Sequence, residues 1–184
     1  ATAAKKALPK LDASKSALNY KDEGNAHFKA GKFHDAVVSY SMALRVDAEC
    51  LPAISNRAIS KLKLKDFSGA VEDCTKGLAT VEKQNGEAKE AGAKNRPTQV
   101  KLLYRRSLGN KGLGKYEAAT ADVKAIIAIE PANASALTEQ KLLQKLLAPP
   151  QNPDTMSRIK RMEQANQLAE KAAQKLVGKF MVPT

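Results

Sequence analysis

The sequence predicts an all-α protein: three helix-turn-helix units stacked in series, a helix that caps the stack, and one extra amphipathic helix beyond it. Three observations carry this. An internal repeat comes first. The stretches "GKFHDAV" at 31–37, "KDFSGAV" at 65–71 and "GKYEAAT" at 114–120 each place an aromatic residue three positions before an alanine. Phe33 and Phe67 lie 34 residues apart, and Phe67 to Tyr116 spans 49, the same 34 with 15 inserted. Second, apolar residues around these stretches recur at three- and four-residue intervals, the spacing of one helix face. Third, Ala, Leu, Lys and Glu abound while aromatics make up 4% and Trp is absent, which favours helices over sheets.

Taken in order, residues 1–16 ("ATAAKKALPKLDASKS") lack periodicity and read as a disordered basic leader, with Ser14 or Ser16 capping the first helix. The first unit spans 17–50. Tyr20, Gly24 and Phe28 share one face of its first helix, Gly31 closes the turn, and Phe33, Val37, Tyr40, Ala43 and Leu44 run along the second. Small residues at Gly24, Ala36 and Ala43 let the two helices approach closely. The second unit is 51–84 and the third 100–133, where Pro131 ends it. The insertion at 85–99 is rich in Ala, Lys and Glu up to Lys94. It reads as a lengthening of the preceding helix, with Pro97 starting the next. Residues 134–147 have the apolar spacing of a capping helix. Three prolines in "APPQNPDT" make 148–155 a linker. In the final helix, 156–180, Met156, Ile159, Met162, Leu168, Ala172 and Leu176 form a stripe ringed by Arg158, Lys160, Arg161, Lys171 and Lys175, and Asp154 or Thr155 caps it. A basic amphipathic helix of this kind can bind calmodulin or membrane, but more often packs on its own domain or on a neighbour's, where it would mediate self-association.

The net charge of +12 points to an acidic partner. Nucleic-acid binding would need a basic stripe with stacking aromatics, and the four Tyr and four Phe mostly fall at core positions. No stretch approaches the ~18 consecutive apolar residues of a membrane span. Cys50 and Cys74 sit in no metal-ligand spacing and read as free thiols of a reducing compartment, the cytoplasm. His27 and His34 have no acidic or thiol partners at ligand spacing. No nucleophile–base pair or metal cluster emerges, so neither enzyme, metal nor cofactor is expected.

One motif competes. "GNKGLGK" at 109–115 fits the first seven positions of a phosphate-binding P-loop. The eighth is Tyr116, where magnesium binding requires Ser or Thr, and no strand leads in. Gly114-Lys115-Tyr116 also occupies the repeat position of Gly31-Lys32-Phe33, which makes it an interhelical turn.

The period and its aromatic–alanine spacing resemble the tetratricopeptide repeat, over about 120 residues of the chain. The resemblance implies a right-handed superhelix whose first helices line a concave groove. A co-chaperone branch of that family carries a carboxylate clamp, which grips the C-terminal Glu-Glu-Val-Asp of heat-shock chaperones. The clamp calls for Lys and Asn at positions five and nine of the first repeat, Asn at position six of the second, and Lys and Arg at positions two and six of the third. Those positions here hold Lys21 and Asn25 in "KDEGN", Asn56 in "ISNRA", and Lys101 and Arg105 in "KLLYRRS". Lys63, seven residues after Asn56, is a possible additional contact to the peptide. The wording "NRAISKLKLKDFSGAVEDCTKGL" and the insertion are similar to tetratricopeptide proteins that assemble dynein or chaperone myosin. The resemblance therefore implies a cytoplasmic, non-catalytic module for the tail of heat shock protein 90 or heat shock protein 70. The alternative is a scaffold for another acidic peptide, or for its own or a neighbour's last helix. On this reading Arg57 and Arg106 are a solvated face.

Overall fold

The computed structural model describes residues 9–87, 91–148, 161 and 164. Among them seven α-helices follow one another: α1 (Ala17–Lys29), α2 (Phe33–Val46), α3 (Leu51–Lys63), α4 (Phe67–Glu87), α5 (Ala91–Gly112), α6 (Tyr116–Ile129) and α7 (Ala134–Leu147). Each helix packs antiparallel-fashion on its successor through α6, and α3 also meets α1 and α5. The first helices of the three units are thus neighbours along one wall. The linker at 148–155, apart from its edge, and the helix expected at 156–180 lie outside the described residues, Arg161 and Gln164 excepted.

Ser16, not Ser14, starts α1. Its hydroxyl accepts the Asn19 N–H while the Asn19 side chain accepts the Ser16 N–H, a reciprocal box that satisfies two otherwise orphaned donors. Ser14 turns its hydroxyl to Asp12 instead.

The three interhelical turns share one backbone device. In the first, Gly31 donates to the Phe28 carbonyl and Lys32 to that of His27, at 3.0 and 2.9 Å. Gly114 and Lys115 repeat this on Lys111 and Asn110, as do Lys65 and Asp66 on Leu62 and Lys61. The geometry needs a left-handed residue at the pivot. Gly31 and Gly114 supply φ 73°, and Lys65 adopts φ 60° without glycine's freedom. The P-loop-like stretch is therefore the end of a helix and its turn.

Two buried clusters run through the stack. One joins Tyr20, Tyr40 and Leu44 of the first unit to Ile54, Cys74, Val81 and Leu102. The other joins Leu103, Val123 and Ile126 to Ala136 and Leu143 of α7. Leu78 packs against both. Glu139 of α7, nearly buried, is held by Lys111 at 2.5 Å. Among the described residues no helix is long and apolar enough to cross a membrane.

Two expectations require correction. The insertion does not lengthen one helix up to Pro97. It is shared: α4 continues to Glu87 and α5 begins at Ala91, with Pro97 inside α5. Pro97 is exposed, so its ring stands away from the packed face. Asn95 bridges back to Gln84 and Asn85 of α4 at 3.3 and 3.2 Å, tying the two helix ends together. Nor is the whole leader detached. The Pro9 carbonyl accepts from Arg45, the Asp12 N–H donates to the Tyr20 hydroxyl, and Lys15 pairs with Glu23 across the Tyr20 ring. Residues 1–8 lie outside the described residues.

Candidate functional site

Position six of the three first helices holds Asp22 on α1, Asn56 on α3 and Arg105 on α5. A cavity of about 270 Å³ opens between these helices. Asn25, Asn56 and Arg105 line it, with Phe28, Lys29, Ile59 and Tyr40. Three of the five expected site residues therefore share one cavity.

The other two flank it. Lys21 stands one turn before Asn25 on α1, with its Nζ 2.9 Å from Asp22 Oδ1. That aspartate is 67% exposed, so the pair is a weak restraint on the lysine. Lys101 stands one turn before Arg105 on α5 and is exposed. It lines an adjoining depression of about 180 Å³ with Val100, Tyr104, Ile126, Asn133 and Ser135. Lys63 is exposed near the end of α3 and lines neither hollow.

The amides are already oriented. Asn25 Oδ1 accepts from the Tyr40 hydroxyl at 2.8 Å and from Asn56 Nδ2 at 3.0 Å, while Asn25 Nδ2 reaches Asp22 at 3.3 Å. Arg105 is largely withdrawn from water, which lowers its affinity for its proton. Its Nη1 donates to the Ser55 backbone carbonyl and to the Ser55 hydroxyl. Burial likewise pushes the Tyr40 hydroxyl above its ordinary titration range, with a hydrogen bond from Asn56 opposing.

The remaining cations divide into two populations. Arg57 grips Asp73 through Nε and Nη2, one edge of its guanidinium, at 2.8 and 2.6 Å, and Lys61 adds a contact at 2.9 Å. Arg106 grips Asp122 in the same manner, supported by Asn110 at 3.1 Å. Both aspartates are nearly buried, so these are structural ties between the two helices of a unit. Arg57 and Arg106 are correspondingly not the solvated face that their charge suggested. By contrast Lys29, Lys63, Lys101 and Arg105 have no carboxylate within 4.0 Å among the described residues. The groove holds uncompensated positive charge beside amide donors and an apolar floor. Chemically that arrangement suits an extended peptide carrying carboxylates and an apolar side chain.

Sequence reasoning read Phe28 and Tyr40 only as packing positions of the first helix pair, and gave no role to Ser55, Lys29 or Ile59. Phe28 and Ile59 could have been found, since they follow Asn25 and Asn56 by three on the same helix face. Tyr40 and Ser55 could not, because their partners are 15 and 50 residues away.

No family model matches the chain. Over 139 residues it is 30% identical to RNA polymerase II-associated protein 3 of Homo sapiens, covering 76% of this chain and 19% of that protein. It resembles the structure of the first TPR of Spaghetti (RPAP3) bound to the HSP90 peptide SRMEEVD, with TM-score 0.63 and 28% identity, covering 76% of this chain and 98% of that one. It also resembles the second TPR domain of human RPAP3 in complex with the HSP70 peptide SGPTIEEVD, with TM-score 0.58 and 28% identity, covering 70% and 94%. The chain spans 11% to 22% of the length of the curated relatives it matches.

Proposed function

The chain is a tetratricopeptide-repeat domain of the co-chaperone type, and from that premise we propose that its groove binds the acidic C-terminal tail of heat shock protein 90 or heat shock protein 70. The observation that carries the reading is the convergence of Asn25, Asn56 and Arg105 on one cavity, with Lys21 and Lys101 a turn away on either side. In this reading the terminal carboxylate and the aspartate side chain take the N–H groups of Lys21, Asn25, Asn56, Lys101 and Arg105. Lys63 reaches acidic groups further upstream. Charge-assisted hydrogen bonds contribute roughly 1.5–3 kcal/mol each. Several of them, less the cost of ordering a flexible tail, leave about −7 to −8 kcal/mol, on the order of micromolar affinity.

In this reading the domain is a non-catalytic cytoplasmic module. Similarity to chains solved with both an HSP90 and an HSP70 peptide supports the partner class. The unpaired groove cations support an acidic ligand independently of any relative.

Calorimetric titration with a peptide ending Met-Glu-Glu-Val-Asp, at ~0.15 M salt, tests the proposal. Arg105→Ala and Lys101→Ala should each weaken binding at least about tenfold, as loss of a charged hydrogen bond requires. Binding indifferent to both substitutions would sink it.

A further inference from the structure

A side-chain amide can face a ligand with either its oxygen or its N–H groups, and only the latter suit a carboxylate. In this groove the choice is made from behind. Both acceptor directions of Asn25 Oδ1 are filled, by the Tyr40 hydroxyl at 2.8 Å and Asn56 Nδ2 at 3.0 Å. The Asn25 nitrogen gives one N–H to Asp22 at 3.3 Å, and its other N–H is left for the groove. Tyr40 cannot drift. It is 1% exposed, and its ring lies where a Cβ on residue 24 would stand, 2.5 Å from Cε1. At the other end of the cavity Ser55, buried on α3, receives Arg105 Nη1 on both its carbonyl and its hydroxyl oxygen. Anchoring through Nη1 leaves Nε and Nη2 without a hydrogen-bond partner among the described residues.

We infer that Tyr40 and Ser55 are the positioning residues that set the selectivity of this site: by fixing Asn25 and Arg105 from behind, they present N–H donors to the groove and make it prefer an ionised carboxylate over a carboxamide. A carboxamide brings N–H groups of its own, and those would meet donors. The inference rests on the peptide-binding reading above and adds its source of discrimination. Tyr40 acts through Asn25, and Ser55 through Arg105.

The test is the ratio of dissociation constants for a Met-Glu-Glu-Val-Asp peptide with a free and with an amidated C-terminus. Tyr40→Phe keeps the ring and its packing while freeing the Asn25 amide to turn. It should shrink the ratio by about threefold to tenfold, the worth of one hydrogen bond. Ser55→Ala should shrink it too, and Ser55→Thr, which keeps a hydroxyl, should restore it. In an Asn25→Ala background Tyr40→Phe should change nothing further, which a merely structural role would not predict. A side-chain amide NMR spectrum of the unliganded domain should show the Asn25 resonances moved by Tyr40→Phe. Should Ser55→Ala fail to fold, the Tyr40 arm decides alone. An unchanged ratio in Tyr40→Phe, with the wild type binding the free acid, would overturn the inference and leave the binding reading standing. A wild type that binds neither peptide would remove the reading and the inference together.

Discussion

At two buried positions 16 residues apart, every unit sets a smaller residue on its first helix against a larger one on its second. Gly24 is matched with Tyr40, Ala58 with Cys74, and Ser107 with Val123, all essentially inaccessible to water. Only where the first partner has no side chain is the second an aromatic ring, and only that ring's hydroxyl reaches the groove. Cys74 fills the same place one unit later. Burial pushes its thiol up to about 12 from an ordinary value near 9.0. The native state thus holds this proton more tightly than the unfolded chain does. Its contribution to stability is intact below about pH 8.5 and is lost as pH rises from about 9 toward 12. Denaturant titrations across that range should show wild-type stability falling more steeply with pH than that of Cys74→Ala. Parallel slopes would refute the burial of the thiol.

Among the elements, the turn of the second unit is the imperfect copy. Lys65 holds a left-handed conformation that Gly31 and Gly114 adopt freely, with the same pair of hydrogen bonds around it. Lys65→Gly should therefore stabilise the domain by about 0.5–1 kcal/mol, the steric relief exceeding the added freedom of the unfolded chain. A shift in urea midpoint, with the slope unchanged, is the measurement. The helix pairs were legible to this depth because periodicity and turn residues are local. The start of α5 was not, since Pro97 reads locally as a helix start. The α4–α5 contact, with Asn95 on Gln84 and Asn85, instead extends the helix through it. The ties of Arg57 to Asp73 and Arg106 to Asp122 repeat at equal spacing. In the first unit those places hold Glu23 and Ser39, and Glu23 takes Lys15 from the leader instead. That substitution is why part of the leader is bound to α1.

At the scale of the whole molecule, a net charge of +12 is less informative than its distribution. The cations that hold helices together are spent on nearly buried aspartates, whereas Lys29, Lys101 and Arg105 along the groove have no carboxylate partner among the described residues and Lys21 has only the exposed Asp22. Screening acts strongly on exposed charges and weakly on buried pairs. Raising salt from about 0.05 to about 0.3 M should weaken binding of the acidic peptide by about threefold to tenfold. Over the same range the melting temperature should move little. A melting temperature that fell in step with affinity would place the two populations in one network.

From the sequence alone came the repeat, the three helix pairs, the cap, the identity of the P-loop-like stretch as a turn, and five residues of matching type on first helices. These follow from periods of 3.6 and 34, which a chain cannot hide. Only the tertiary structure decided which of the five share a cavity, which arginines are structural, and how the Asn25 amide is turned. Those outcomes depend on partners 15 to 50 residues distant, such as Tyr40 for Asn25 and Ser55 for Arg105. No local pattern encodes them, because a hydrogen bond's direction is set by what the folded chain brings to its far side.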